Sequence, residues 1–168
     1  MAINYEKLVD WQIPEVEQRL TPRDTILYAL GVGLGADPCD ADQLRFVYED
    51  GLQALPTMAI ILGYPGPWLA HPDTGITRTH VVHGEQGFRV LKPLPVEGDV
   101  VGKTRVTGVV DKGKDKGALV MQGRFAAPVY PGEMIRTEMW VDGNLVSFRS
   151  TVPARGATVL NNGRAEIR

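Results

Sequence analysis

The amino-acid sequence predicts a sheet-rich α+β fold, and three observations carry that expectation. With 19 Gly and 12 Pro in 168 residues, the chain has more turn punctuation than a helical bundle needs. Its second half alternates apolar and polar residues in short runs divided by turn residues, the pattern of antiparallel strands. Helix-start and buried-helix signals are confined to the first 62 residues. At this length one domain is the default, burying roughly 70% of the surface its unfolded form exposes.

Taken in order, residues 1–20 carry Trp11, Ile13, Pro14 and Val16 among charges and read as an extended arm. At Thr21-Pro22-Arg23-Asp24 a Thr cap, a Pro at the first helical position and an acid at the third coincide, so a helix begins there. Ile26, Leu27 and Leu30 give it an apolar stripe and Gly31 ends it. Gly31-x-Gly33-x-Gly35 follows a helix, whereas a dinucleotide fingerprint follows a strand, so it is discounted. Leu44-Arg45-Phe46-Val47-Tyr48 alternates as a short strand. Leu55-Pro56-Thr57 opens an apolar segment to Leu62, stopped by Gly63 and Pro65, which reads as the core helix with Met58, Ile60 and Ile61 inside.

His80–Asp99, HVVHGEQGFRVLKPLPVEGD, organises the rest. Its head, His83-Gly84-Glu85-Gln86, sets an imidazole, a carboxylate and an amide beside a glycine that lets another backbone or a ligand approach. Phe88–Leu94 reads as a strand that Pro93 and Pro95 confine to an edge or an exit, before the turn at Glu97-Gly98-Asp99. Val100–Val110 reads as a long strand, 111–117 as a charged glycine turn and Ala118–Met121 as its hairpin partner. Met134–Val141, a turn at Asp142-Gly143-Asn144, Leu145–Val152 and Ala157–Ile167 complete the antiparallel run. The turn around Gly98 is echoed 34 residues on, around Gly132, by Pro128-Val129-Tyr130-Pro131-Gly132-Glu133, a partial internal repeat.

Composition excludes some partners. A net charge of −2 with both signs mixed leaves no footprint for nucleic acid or an anionic membrane surface. The single Cys39 rules out an intramolecular disulfide and a cysteine cage, and fits a reducing compartment. The longest apolar stretch, Met58–Leu62, is far too short to span a bilayer, and the N-terminus carries no basic region followed by an apolar run. A soluble, intracellular protein is expected.

Several stretches carry a family resemblance. TPRDTILYALGVG (Thr21–Gly33), LRFVYE (Leu44–Glu49), Leu55-Pro56-Thr57 and His83-Gly84-Glu85-Gln86 followed by KPLP resemble the N-terminal half of (R)-specific 2-enoyl-CoA hydratase, the hydratase-2 branch of the MaoC-like family. The tail from PVYPGEMIRTEMW to VLNN (Pro128–Asn162) resembles the end of the C-terminal half of the same proteins. The resemblance implies a hot-dog fold, an antiparallel sheet wrapped round a central helix, which the family doubles into tandem repeats. On that reading residues 1–120 are an N-terminal hot-dog repeat. Residues 121–168 are terminal strands resembling the end of a second repeat, packed into the same domain. The implied chemistry is syn addition of water to a trans-2-enoyl-CoA, giving a (3R)-3-hydroxyacyl-CoA, within fatty acid metabolism. In the family an Asp and a His of an Asp-x-Asn-Pro-x-His motif hold the water. These 168 residues contain no Asn-Pro, and their histidines are His71, His80 and His83. The first repeat's hairpin near Ala118–Val120 reads as running directly into later strands near Gly123–Ala127.

Hydration of an enoyl thioester needs a group to activate water, a group to protonate the α-carbon, and donors for the thioester oxygen. His83 and Glu85 are the acid–base pair closest in sequence, and two residues apart on a strand they share a face. They are the candidate catalytic residues. The other reading is that His83, Glu85 and Gln86 satisfy backbone groups where a strand begins and line an acyl-CoA pocket. Gly84 and Gln86 are candidate substrate-binding residues. Asp24 and Tyr28, one turn apart on the first helix, match the family pattern and join them, with capping as the other role of Asp24. Arg45 and the Lys112–Lys116 turn are candidates for CoA phosphates or are simply solvated. Glu49 and Asp50, before the apolar helix, match no thioesterase motif. No metal is expected, and no cofactor beyond coenzyme A as part of the substrate or ligand. The partners implied are an acyl-CoA and, through sheet edges, a second copy. The alternative is a non-catalytic acyl-CoA-binding subunit paired with a hot-dog chain that carries the missing Asp and His. A cytoplasmic location is expected, or a peroxisomal one in a eukaryote.

Overall fold

The computed structural model describes residues 3–110 and 124–166. The chain divides into two compact units, Met1–Thr79 with Phe88–Val109, and His80–Gly87 with Val110–Arg168.

In the first unit, residues before 21 form elements rather than an arm. Helix α1 (Tyr5–Val9) starts where Asn4 Oδ1 accepts the Lys7 amide at 3.2 Å. Strand β1 (Val16–Leu20) pairs antiparallel with β2 (Gly98–Gly102), Val16 opposite Gly102 and Leu20 opposite Gly98. The arm reading missed this because five residues carry too little alternation to reveal a partner some 80 positions away. Helix α2 (Pro22–Gly31) begins as its sequence predicts, with a reciprocal capping box between Thr21 and Asp24. It buries Thr25 and Ala29. Thr25 Oγ1 donates to the Val96 carbonyl at 2.9 Å, tying the helix to the turn before β2. The glycine triplet ends this helix: Gly33 N donates to Leu30 O and Leu34 N to Ala29 O.

Four further expectations are corrected. Residues 44–48 lie not in a strand but in helix α3 (Ala41–Val47) and its C-cap. Asp40 caps it, accepting the Asp42 and Gln43 amides, and a local cap outweighs a five-residue alternation. Phe88–Leu94 forms no strand, since Pro93 and Pro95 remove ladder donors. The expected core helix is a 3-10 turn, Pro56–Ile60, of which Met58 alone is buried while Ile60 and Ile61 are exposed. The expected long strand Val100–Val110 is also cut short, with β2 ending at Gly102. There the chain crosses Gly63: a Cβ on Gly63 would lie 2.8 Å from the Gly102 nitrogen. The Gly63 amide donates to Gln18 Oε1 at 2.8 Å, and at φ +61 it suits glycine.

The second unit is an antiparallel sheet in the order β3-β6-β5-β4, built from β3 (Arg124–Phe125), β4 (Arg136–Asp142), β5 (Leu145–Val152) and β6 (Ala157–Glu166). The last three match the sequence expectation to within two residues. The Gly143-Asn144 turn closes β4 on β5, with Asp142 opposite Leu145. Val146, Val152 and Val159 are its buried apolar residues. Gly163 lies opposite Phe148, whose ring occupies the space a side chain there would need. The expected turn at 111–117 and strand at 118–121 lie outside the described residues. Among the described residues no helix is long and apolar enough to cross a membrane.

Candidate functional site

The residues singled out from sequence fall in two local settings, one in each unit. In the second unit, Glu85 forms an antiparallel bridge with Arg124, and the Phe125 amide donates to Gly84 O at 3.2 Å. The His83–Gln86 corner is thereby laid beside β3, itself held on β6 by Arg124 opposite Asn161 and Phe125 opposite Leu160. The His83 ring packs on the Phe125 ring, with centroids 5.3 Å apart and planes at 55°.

His83 Nε2 meets the Glu85 backbone carbonyl at 2.8 Å. A carbonyl only accepts, so Nε2 carries the hydrogen of this contact. In this arrangement His83 contacts Glu85 through its main chain. Gln86 similarly directs its amide nitrogen to Gly87 O at 3.2 Å. His83 is exposed, while Gly84, Glu85 and Gln86 are half-buried. The corner thus presents a solvent-facing imidazole, a carboxylate two residues on, and a backbone already tied down.

In the first unit, Asp24 and Tyr28 stand one turn apart on α2, both half-buried. Asp24 Oδ2 accepts the Thr21 hydroxyl at 2.6 Å and the Thr21 amide at 2.9 Å. The Thr21 hydroxyl first, and then its amide, hold the Asp24 carboxyl below the usual carboxylate range. Asp24 is therefore an ionised cap at neutral pH.

The sequence did not point to a groove in this unit. Phe46 at the end of α3, Gln53, Ala54, Pro56 and the Val90–Leu94 run border an open surface groove of about 420 Å³. Among the described residues that line it, Lys92 is the one cation. The size falls in the range of small-molecule sites, which are mostly apolar with a few polar groups. A signal was present in the proline-broken KPLP segment: apolar residues without a ladder partner must cover or line something.

The chain is similar to known proteins in sequence and in fold. The chain matches the family described as "MFE-2 hydratase 2 N-terminal domain" over residues 19–129. It is 35% identical over 129 residues to "Probable enoyl-CoA hydratase 2" of Dictyostelium discoideum, covering 72% of this chain and 41% of that protein. It is also 35% identical over 169 residues to "Enoyl-CoA hydratase 2, peroxisomal" of Arabidopsis thaliana, covering 95% of this chain and 50% of that one. Among solved structures, a MaoC-like dehydratase from Phytophthora capsici superposes with a TM-score of 0.68 at 18% identity, covering 97% of this chain and 98% of that one. That likeness carries the fold: the chain is an α+β protein of the hot-dog class. By its sequence match it belongs to the hydratase-2 family. It spans two fifths to half the length of these curated relatives.

Proposed function

We propose that this chain handles acyl-CoA thioesters, and that its reaction is the hydratase-2 one, addition of water to a trans-2-enoyl-CoA to give a (3R)-3-hydroxyacyl-CoA. The family match over residues 19–129 carries the reading. The apolar groove with Lys92 at residues 90–94 supports it, offering a floor for an acyl or pantetheine segment and a cation for a phosphate. The solvent-facing His83–Glu85 corner supports it as well. There one group takes a proton from water as the oxygen bonds the β-carbon, the other returns a proton to the α-carbon, and donors hold the thioester oxygen. Gly84, Gln86, Asp24 and Tyr28 are proposed to contact the substrate. No cofactor enters beyond coenzyme A itself.

A second reading rests on a specific observation: the 168 residues contain no Asn-Pro, and so no Asp-x-Asn-Pro-x-His. On this reading the chain binds acyl-CoA without turning it over, paired with a hot-dog unit that supplies the Asp and the His. In a eukaryote the proposed setting is the peroxisome, the location printed for the Arabidopsis relative; otherwise it is the cytoplasm.

The two readings separate in one assay. Purified protein is mixed with a short trans-2-enoyl-CoA and loss of the conjugated thioester absorbance is followed, with His83→Ala and Glu85→Gln beside it. Steady turnover abolished by either substitution supports the dyad. Turnover absent from the wild type, with acyl-CoA still bound, leaves the binding subunit. Neither turnover nor binding defeats both.

A further inference from the structure

We infer that one face of the second unit's sheet, around Trp140, Arg149 and Arg164, binds a nucleoside phosphate. On β5, Val146, Ser150 and Val152 are buried, so Ser147 and Arg149, which alternate with them, lie on the opposite face. Trp140 stands opposite Ser147 and Ser147 opposite Arg164, which makes these three one row across three strands on that face. Glu138 and Arg149, opposite each other, form the next row. Trp140, Ser147, Arg149 and Arg164, together with Asn161 and Asn162, line an open groove of about 370 Å³, within the range of small-molecule sites.

A β-bulge shapes this groove. Between Phe148, opposite Gly163, and Ser150, opposite Leu160, β5 has one residue and β6 has two. Arg149 therefore stands opposite both Asn161 and Asn162, and Asn162 takes a φ of +54, the left-handed conformation that asparagine tolerates. Bulges re-aim side chains and are over-represented beside functional sites. The Arg149 guanidinium is fixed: Nε and Nη2 both donate to Glu138 Oε2, at 3.2 and 2.6 Å, and the group lies 5.5 Å from the centroid of the Trp140 ring. Arg164 is exposed and forms no ion pair with another described residue. With Glu138 neutralising Arg149, Arg164 is the uncompensated charge of the groove. Asp142 and Glu166, both opposite Leu145 one row further along, repel an anion toward the bulge, where the Asn161 and Asn162 amides offer donors.

These groups select the ligand. Trp140, 53% exposed, offers a π-face on which a base stacks. Arg164 supplies the planar fork that suits a phosphate. Neighbouring strands lie about 4.8 Å apart, so the Trp140 and Arg164 positions are separated by roughly 10 Å, the reach of a base and a phosphate joined through one ribose. An apolar ligand would leave Arg164 unpaired, and phosphate alone would leave Trp140 unused. All of these residues belong to the second unit, and the binding does not depend on the thioester reading. The shared chemistry, a base with a phosphate, is carried by a free nucleotide or by the nucleotide end of coenzyme A.

The test is calorimetric titration of the full chain with AMP, adenosine, inorganic phosphate and coenzyme A, the fold of each variant being checked by far-UV circular dichroism. AMP is expected to bind more tightly than adenosine or phosphate by about tenfold or more. Trp140→Leu and Arg164→Gln should each weaken AMP binding by about tenfold, while Trp140→Phe, which keeps a π-face, should retain most of it. Coenzyme A separates the two sources. Parallel weakening of coenzyme A by the same substitutions assigns the groove to its nucleotide end, and indifference of coenzyme A to substitutions that weaken AMP assigns it to a free nucleotide. A protein that binds no AMP overturns the inference. So does AMP binding that neither Trp140→Leu nor Arg164→Gln weakens, or adenosine binding as tight as that of AMP.

Discussion

Gly63 and Gly102 meet backbone to backbone: a Cβ placed on either would overlap main-chain atoms of the other. A flexible side chain could swing aside, but a backbone held on one side by the β1–β2 ladder and on the other by the Gln18 hydrogen bond cannot. Gly102→Ala should therefore destabilise the protein by about 1–3 kcal/mol, the usual cost of forcing atoms into a packed site. Gly108→Ala, where nothing lies within 4 Å of the added carbon, should cost far less. Urea unfolding of both variants checks this, and equal losses would refute it.

Glu133 and Arg155 make the second prediction. Arg155 Nε donates to Glu133 Oε1 at 2.6 Å and Nη2 to Oε2 at 2.9 Å, while Glu133 Oε2 also accepts the Tyr130 amide at 2.8 Å. The Arg155 fork first, and then that amide, hold the Glu133 carboxyl below its usual range. A carboxyl whose folded value is depressed stabilises the fold fully above the unfolded value, and that contribution is lost as pH falls through the folded value. Glu133→Gln should therefore lower the thermal midpoint at pH 7 and change it little at pH 3. The same drop at both pH values would show that the charge is not what matters.

The third concerns how α2 is anchored. Thr25 is buried and gives its hydroxyl hydrogen to Val96 O, so Thr25→Val, which keeps the shape, should cost about 1 kcal/mol. Thr21→Ala, which removes the cap, should cost about the same. Chemical denaturation measures both. A neutral Thr25→Val would mean that the contact contributes nothing net.

These anchors mark what could be read from the chain and what could not. The α2 start was legible because Thr21, Pro22 and Asp24 act within one turn, and β5 because Asp142-Gly143 marks its hairpin and Leu145–Val152 carries its own apolar residues. The α3 helix was misread because Leu44, Phe46 and Tyr48 alternate by chance while the deciding group, the Asp40 carboxylate, lies outside the window. The pairing of β1 with β2, and the stop at Gly102, depend on partners tens of residues away, which no local pattern carries. The internal echo is instructive too: the turns near Gly98 and Gly132 look alike in sequence, yet Thr25 pins the first and Arg155 the second. At the site, His83, Glu85 and Gln86 were legible as a polar corner. That His83 would turn to a main-chain carbonyl was not, since a backbone contact leaves no mark on residue identity.

The proposed accommodation of an acyl-CoA thioester is tested most directly by calorimetric titration with saturated acyl-CoAs of increasing chain length and with free coenzyme A. Binding should tighten with chain length and be weakened at least tenfold by Val90→Asp in the groove while far-UV dichroism is unchanged. No binding, or equal affinity for free coenzyme A and every acyl-CoA, would contradict it.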